Sequence, residues 1–125
     1  MKLENQVTNV ELSNKLHELG VTEPSLFFRD STKSKEEDIE FWGKPDYCPD
    51  NVACYTTAEL GELLPNGIDY IITTTKCTNR WLCRCEHIKG AFREILHDEW
   101  DETEANARAK CLIYLLENNL LIVKK

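Results

Sequence analysis

Apolar residues recur with helical spacing near the start of the chain. Leu12, Leu16 and Leu19 are spaced to form a single stripe. Thr8 precedes Glu11 by the three residues of a capping box, and Gly20 suits the left-handed position that follows a helix. The pattern predicts a helix over residues 9–19, with Thr8 as its N-cap.

Two later stretches repeat this pattern. In YTTAELGELLP (55–65), Thr56 and Glu59 form a second capping box, and Pro65 ends the helix at Leu64. DETEANARAKCLIYLLENN (101–119) predicts a long helix that starts at Asp101 or Thr103. Its core stripe is predicted at Ala105, Ala109, Leu112 and Leu116.

Short β-branched and aromatic runs separate the helices. SLFFRD (25–30) and DIEFWG (38–43) predict one hairpin, and IDYIITTTK (68–76) with RWLCRCEH (80–87) predicts a second, joined by Thr78-Asn79. Residues 44–54 contain two prolines and are expected to be irregular, whereas LLIVKK (120–125) predicts an edge strand.

Residues 88–97 fit two patterns. Their apolar positions have helical spacing, and Glu94 would interrupt the apolar face of a strand, so a helix is favoured. The expected fold is therefore α+β, with a small, mainly antiparallel sheet of two hairpins and capped helices packed on one face, in a single domain over residues 1–125.

Composition narrows the possible functions. The net charge of −7 disfavours direct binding to nucleic acid or to anionic membranes. The N-terminus has no apolar run of signal-peptide length, which predicts a cytosolic protein whose cysteines are reduced thiols.

The stretch WLCRCEH (81–87) places candidate metal ligands on a predicted strand. Cys83, Cys85 and His87 alternate and so share one face, and Cys77 lies on the partner strand or turn, so the four could bind zinc. Cys85 with His87 could also form a nucleophilic pair. The simpler interpretation is packing, because free cysteine behaves as a small hydrophobe, with Trp81, Cys83 and Cys85 inward and Leu82, Arg84 and Glu86 outward.

An acidic run, EILHDEWDETE (94–104), contains no Lys or Arg. Its simplest interpretation is a helix start with favourable carboxylates. The alternative is a negatively charged docking surface with an aromatic anchor, and the candidate partner-binding residues are Glu94, Asp98, Glu99, Trp100, Asp101 and Glu102.

Three segments of the sequence, ELSNKLHELG (11–20), TTAELGELLP (56–65) and TEANARAKCLIYLLEN (103–118), resemble a family of small phage and prophage proteins. The family pattern runs ELxxKLxELG, TxAELGexLP and TEAxARAKxLIYLxEN, and the resemblance covers both ends and the middle of the chain. It implies a mobile-element protein of a bacterial host and carries no known activity. The cysteines of WLCRCEH are not part of the pattern.

No nucleophile elbow, phosphate-binding loop or dinucleotide fingerprint occurs in the chain, so neither an enzyme nor a cofactor is expected. The leading hypothesis is a non-catalytic phage or prophage accessory protein that contacts a host or phage protein. The alternatives are an acidic inhibitor of a host nucleic-acid-binding defence system and a small zinc-binding or thiol-active protein.

Overall fold

The computed structural model of the protein describes residues 2–22, 25–30, 35–36, 38–41, 51–65 and 69–121. The α+β class is confirmed, and the strands divide between two three-stranded antiparallel sheets. In chain order the elements are a short 3-10 helix at Leu3–Asn5, α1 (Val10–Glu18), β1 (Phe27–Asp30), β2 (Glu40–Phe41), β3 (Asn51–Ala53), α2 (Thr57–Leu63), β4 (Tyr70–Cys77), β5 (Arg80–Lys89), β6 (Phe92–Asp101) and α3 (Glu104–Glu117).

Helix α1 is capped by a different residue from the one predicted. The side chain of Asn9 accepts a hydrogen bond from the Leu12 amide at 2.8 Å. Thr8 is not the cap, and its side chain is fully buried. The Thr8 hydroxyl instead lies 2.6 Å from the Ser13 hydroxyl and accepts a bond from the Tyr55 amide. Thr8 therefore joins the start of α1 to the segment before α2.

The predicted end of α1 is confirmed. Gly20 has a φ of 91°, and its amide donates to the His17 carbonyl at 3.0 Å. The Val21 amide donates to the Leu16 carbonyl, also at 3.0 Å. These two bonds form a Schellman motif, which places Val21 in the core beside Leu16.

Helix α2 carries the predicted capping box. The Glu59 amide donates to the Thr56 hydroxyl, and the Glu59 carboxylate accepts from the Thr56 amide. The same carboxylate accepts a 2.8 Å bond from the Ser25 hydroxyl, so the cap also holds the chain just before β1.

The first sheet has the order β2-β1-β3. The predicted first hairpin is confirmed by the pairing of Phe27 with Phe41. The expectation that residues 44–54 are irregular is wrong for Asn51–Ala53, which form β3, and residues 44–50 lie outside the described part. The strand forms because Val52 is buried against the core while its backbone pairs with Arg29.

The second sheet has the order β4-β5-β6, and its first hairpin turns at Thr78-Asn79 as predicted. The predicted helix over residues 88–97 is wrong, because these residues complete β5 and begin β6. Gly90 and Ala91 form a two-residue loop between the paired residues Lys89 and Phe92. Gly90 has a φ of 60°, which suits the tight turns that join antiparallel strands.

A bulge in β6 explains why alternation along this strand is hidden in the sequence. His97 pairs with Cys85 and Ile95 pairs with Glu86, so Leu96 is an extra residue on β6. The side chain of Leu96 packs against the core. The extra residue shifts the alternation, so the apolar positions mimic helical spacing.

Helix α3 covers one face of the second sheet. The Thr103 hydroxyl caps it by accepting a bond from the Asn106 amide, and Glu104 forms an ion pair with Arg108, four residues later, at 3.4 Å. Alanines on the inward side let the helix lie close to the strands. The core around it comprises Leu16, Val21, Tyr55, Leu60, Leu64, Cys85, Ala105, Ala109, Leu112, Ile113 and Leu115.

Leu120 and Leu121, which the sequence predicts to begin a C-terminal strand, lie instead in the turn that ends α3. Asn119 has a φ of 56°, and the Leu120 amide donates to the Leu115 carbonyl at 2.9 Å. Leu120 and Leu121 thus fold back onto the core at the helix end. Residues 122–125 of the predicted edge strand lie outside the described part.

Candidate functional site

The two cysteines of WLCRCEH face the core. Cys83 and Cys85 are fully buried, and Cys83 packs with Ala107 and Cys111 beneath α3. The Cys111 thiol donates to the Cys83 carbonyl at 3.2 Å. These contacts confirm the packing interpretation of the two β5 cysteines.

The four candidate zinc ligands do not come together. The side chain of Cys77 is exposed, and the pairing of β4 with β5 places it on the sheet face opposite Cys83 and Cys85. The His87 ring stacks on Tyr70, with ring centroids 5.2 Å apart. Within the described residues no group of three or more His, Cys, Asp or Glu side chains is arranged to hold a metal ion.

Three of the buried thiols have a pKa above the ordinary value. Burial raises the pKa of Cys54 and of Cys85 to about 11. The pKa of the Cys111 thiol is raised mainly by its hydrogen bond with Cys83 and secondly by burial. Because the thiolate is the reactive form, the environment of Cys85 opposes the nucleophilic role considered for it with His87.

The acidic run lies mainly on β6, and only residues 102–104 lie at the start of α3. Strand pairing sends its side chains to two different faces. Asp98 and Trp100 point away from α3, because they pair with Arg84 and Leu82, whereas Glu94, Glu99 and Asp101 point to the α3 side. The six candidates therefore do not share one surface.

Four of the candidate acids also have a cationic or histidine partner. Asp98 makes two bonds to the Arg84 guanidinium, at 2.8 and 3.1 Å. Their hydrogen bond holds the pKa of Asp98 below its ordinary value. Glu94 pairs with Lys89, Glu99 with His97 and Asp101 with Lys110, whereas Glu102 is exposed in the turn before α3. Much of the charge of the run is thus locally compensated.

The face of the second sheet turned away from α3, here called the outer face, carries three cross-strand rows. A charged row of Thr73, Arg84 and Asp98 lies in the middle, between Thr75–Leu82–Trp100 on one side and Ile71–Glu86–Ile95 on the other. Ile95 is 54% exposed and Trp100 is 38% exposed. The Arg80 guanidinium lies 5.3 Å from the Trp100 ring centroid. No helix or strand of the described part packs on this face.

A groove of about 610 Å³ lies on the other side of β6, bounded by α1, α3 and the edge of β6. The His97 ring lies flat on the Tyr114 ring, with centroids 3.8 Å apart, and His97 Nε2 is 2.6 Å from a Glu99 carboxylate oxygen. Ile113 and Leu12 also line the groove.

Of the apolar residues on the outer face, the sequence predicts Trp100 as a candidate partner-binding residue and Leu82 only as an outward-facing residue. It does not identify Ile95, because it predicts a helix over residues 88–97. The loop Gly90-Ala91 was the signal that could have identified a third strand.

Comparison with protein-family models, with curated proteins and with solved structures finds no match for this chain. None of the helices in its described part is long and apolar enough to cross a membrane.

Proposed function

We propose that this protein is a small, non-catalytic phage or prophage accessory protein that binds another protein in the bacterial cytosol. Its contact surface is the outer face of the second sheet. The phage origin rests on the motif resemblance of residues 11–20, 56–65 and 103–118.

The observation that carries the proposal is the apolar surface left open on that face. Trp100, Ile95 and Leu82 project from adjacent strands on the side that α3 does not cover. Sheets in small domains bury one face and solvate the other, and the solvated face is then mainly polar. Large apolar side chains exposed on such a face, here on the two sides of the Arg84–Asp98 pair, favour an interaction surface.

The charged residues of the outer face also suit a protein contact. The bidentate Arg84–Asp98 pair satisfies most of its own bonds, so covering it leaves no isolated charge. Arg80 stacks on Trp100 at one side of the face. Tryptophan and arginine are the residues most enriched among those that dominate protein–protein binding energy.

The two alternative functions have weaker support. Nucleic-acid mimicry needs carboxylates spaced along one surface, but those of β6 divide between two faces and mostly have partners. Reversing Glu94 and Glu102 to lysine removes exposed negative charge, and unchanged activity in a host-defence assay would exclude mimicry. Zinc binding needs convergent ligands, and Cys77 lies on the opposite face from Cys83.

The experiment compares two substitutions at equally exposed positions. Ile95 on the outer face is 54% exposed, and Leu26, outside the second sheet, is 55% exposed. Tagged wild type, Ile95→Lys and Leu26→Lys are produced in the cell that carries the gene, including during phage growth, and bound proteins are quantified by mass spectrometry. We expect recovery of the partner to fall at least about tenfold for Ile95→Lys, because lysine is desolvated in the contact, and to be unchanged for Leu26→Lys.

Equal loss with both variants would indicate a nonspecific effect of the added charge. Equal recovery by wild type and Ile95→Lys, with folding verified by circular dichroism, would overturn the assignment of the outer face.

A further inference from the structure

The groove beside β6 lies along a strand edge. Among the residues that the structure describes, β6 pairs with β5 alone, so its other edge has free backbone positions. His97 and Glu99 of that strand line the groove opposite Leu12 and Lys15 of α1. Near the end of β6, the Lys110 ammonium donates to the Trp100 carbonyl at 3.0 Å, which leaves the edge over Phe92–Glu99 as the open part.

The floor of the groove can support an added strand. The stacked rings of His97 and Tyr114 provide a flat surface, and Ile113 continues it along α3. A neighbouring strand would lie about 4.8 Å from β6, and its inward side chains would rest on this floor. Such a strand satisfies edge backbone groups that otherwise bond to water.

The charged residues that line the groove indicate the charge of the segment that it would bind. Lys15 and Lys110 are its two lysines, and Lys110 is already bonded to Asp101 at 2.9 Å. Four glutamates line the groove, namely Glu11, Glu18, Glu99 and Glu117, and Glu99 is already bonded to His97, which leaves three glutamates beside Lys15. The excess of carboxylates favours a cationic segment, whose lysine stems can cover the apolar floor while their ammonium groups reach the glutamates.

We infer that the groove binds an extended, lysine- or arginine-rich segment of a partner protein, which pairs with β6 as a fourth strand of the second sheet. Basic residues alternate with apolar ones in this segment, because strand side chains point alternately to the two sheet faces. The site lies on the α3 side of β6 and is separate from the outer face, so it does not depend on the function proposed above.

The probe is a fluorescent peptide of about eight alternating lysines and valines, long enough to span about 27 Å of strand. Binding is measured by fluorescence anisotropy at low and high salt. A matched glutamate–valine peptide serves as one control. Two further versions of the lysine peptide are N-methylated at one or the other set of alternate residues, so that each version cannot pair along one of its edges. We expect the lysine peptide to bind, the glutamate peptide not to bind, and N-methylation on the pairing edge to abolish binding.

Protein variants test the charge assignment. Glu18→Lys and Glu117→Lys change exposed residues in the last turns of α1 and α3, where lysine favours the helix dipole, so folding is preserved. Each is expected to weaken peptide binding about three- to fivefold. Glu62→Lys makes the same charge change in the last turn of α2, outside the groove, and should alter binding less than about twofold.

Three results would overturn the inference: no binding of the lysine peptide, equal weakening by Glu62→Lys, or undiminished binding of the peptides methylated on either edge. A helical circular-dichroism signal in the bound peptide would identify a helix as the occupant, and peptide-independent dimerisation that protects β6 amides would identify a second copy. Either would also contradict strand addition by a basic segment. Partner recovery by the Ile95→Lys protein is a separate readout, so failure of one proposal leaves the other testable.

Discussion

The thiol of Cys111 donates a hydrogen bond to the main-chain oxygen of Cys83, and this 3.2 Å contact joins α3 to the middle strand of the second sheet. Both residues are fully buried, with Ala107 completing the cluster. Cys83, one of the candidate zinc ligands, is thus packed between the helix and the sheet. Because Cys83 and Cys85 are buried, the surfaces on either side of β6 are better candidates for function.

Removing this contact should destabilise the fold. Cys111→Ala deletes the sulfur and its hydrogen bond in a region that cannot fully collapse, so we expect a loss of about 1–2 kcal/mol in the free energy of unfolding. Cys77→Ala, at an exposed position, should change it by less than about 0.5 kcal/mol. Urea unfolding followed by circular dichroism measures both, and equal values would contradict the packing role.

Thiol labelling should separate the exposed cysteine from the buried ones. In a Cys48→Ser background, which removes the cysteine outside the described residues, iodoacetamide at neutral pH should modify Cys77 first. Cys54, Cys83, Cys85 and Cys111 should react only after unfolding, because they are buried. Peptide mass spectrometry identifies the modified positions. Rapid labelling of Cys85 in the folded protein would support the thiol-active alternative.

Stability should fall in alkaline solution. Burial raises the pKa of Cys54 and Cys85 from 9.0 to about 11, so the unfolded chain loses these protons at lower pH than the folded protein. The contribution of these two thiols to the free energy of unfolding is fully present below about pH 9. It is lost as the pH rises through about 11, and the total loss is roughly 2–3 kcal/mol for each thiol.

The matched measurement follows the unfolding free energy of wild type and of the Cys54→Ala, Cys85→Ala double variant across this range. The double variant is less stable at neutral pH, but its free energy of unfolding should decrease less steeply than that of wild type as the pH rises. Parallel curves for the two proteins would show that other groups cause the alkaline loss.

The loop between β5 and β6 should require a residue that tolerates positive φ. A Cβ on Gly90 would meet no atom within 4 Å, so the cost of Gly90→Ala comes from the backbone φ of 60°. We expect about 1–2 kcal/mol of destabilisation. Gly90→Asn should cost less, because asparagine adopts this conformation more readily. Thermal unfolding compares the two, and equal losses would argue against the turn geometry.

The sequence predicted those features that depend on local chemistry. The Thr56–Glu59 capping box and the Gly20 helix end each depend on a few adjacent residues, and both are present. The inward direction of Cys83 and Cys85 followed from strand alternation alone and is also confirmed.

Features that depend on partners distant in sequence were missed. The extra residue Leu96 gives the apolar residues of β6 a helical spacing. A bulge is stabilised by pairing with β5, so local propensity does not predict it. Because β6 is predicted as a helix, the sequence does not show that its acidic residues lie on both faces of a sheet. Asp98 and Glu99 are neighbours in sequence but point to opposite faces. The groove could not be foreseen, since it requires the packing of α1 beside α3.

Site-specific photocrosslinking in the cell tests most directly whether the outer face contacts a partner protein. A benzoyl-phenylalanine residue replaces Trp100 on the outer face in one protein and Leu26, outside the second sheet, in another. We expect an adduct from position 100 with the same protein that wild type recovers, and no such adduct from position 26. An equal yield from both positions, or an adduct from position 26 alone, would contradict this expectation.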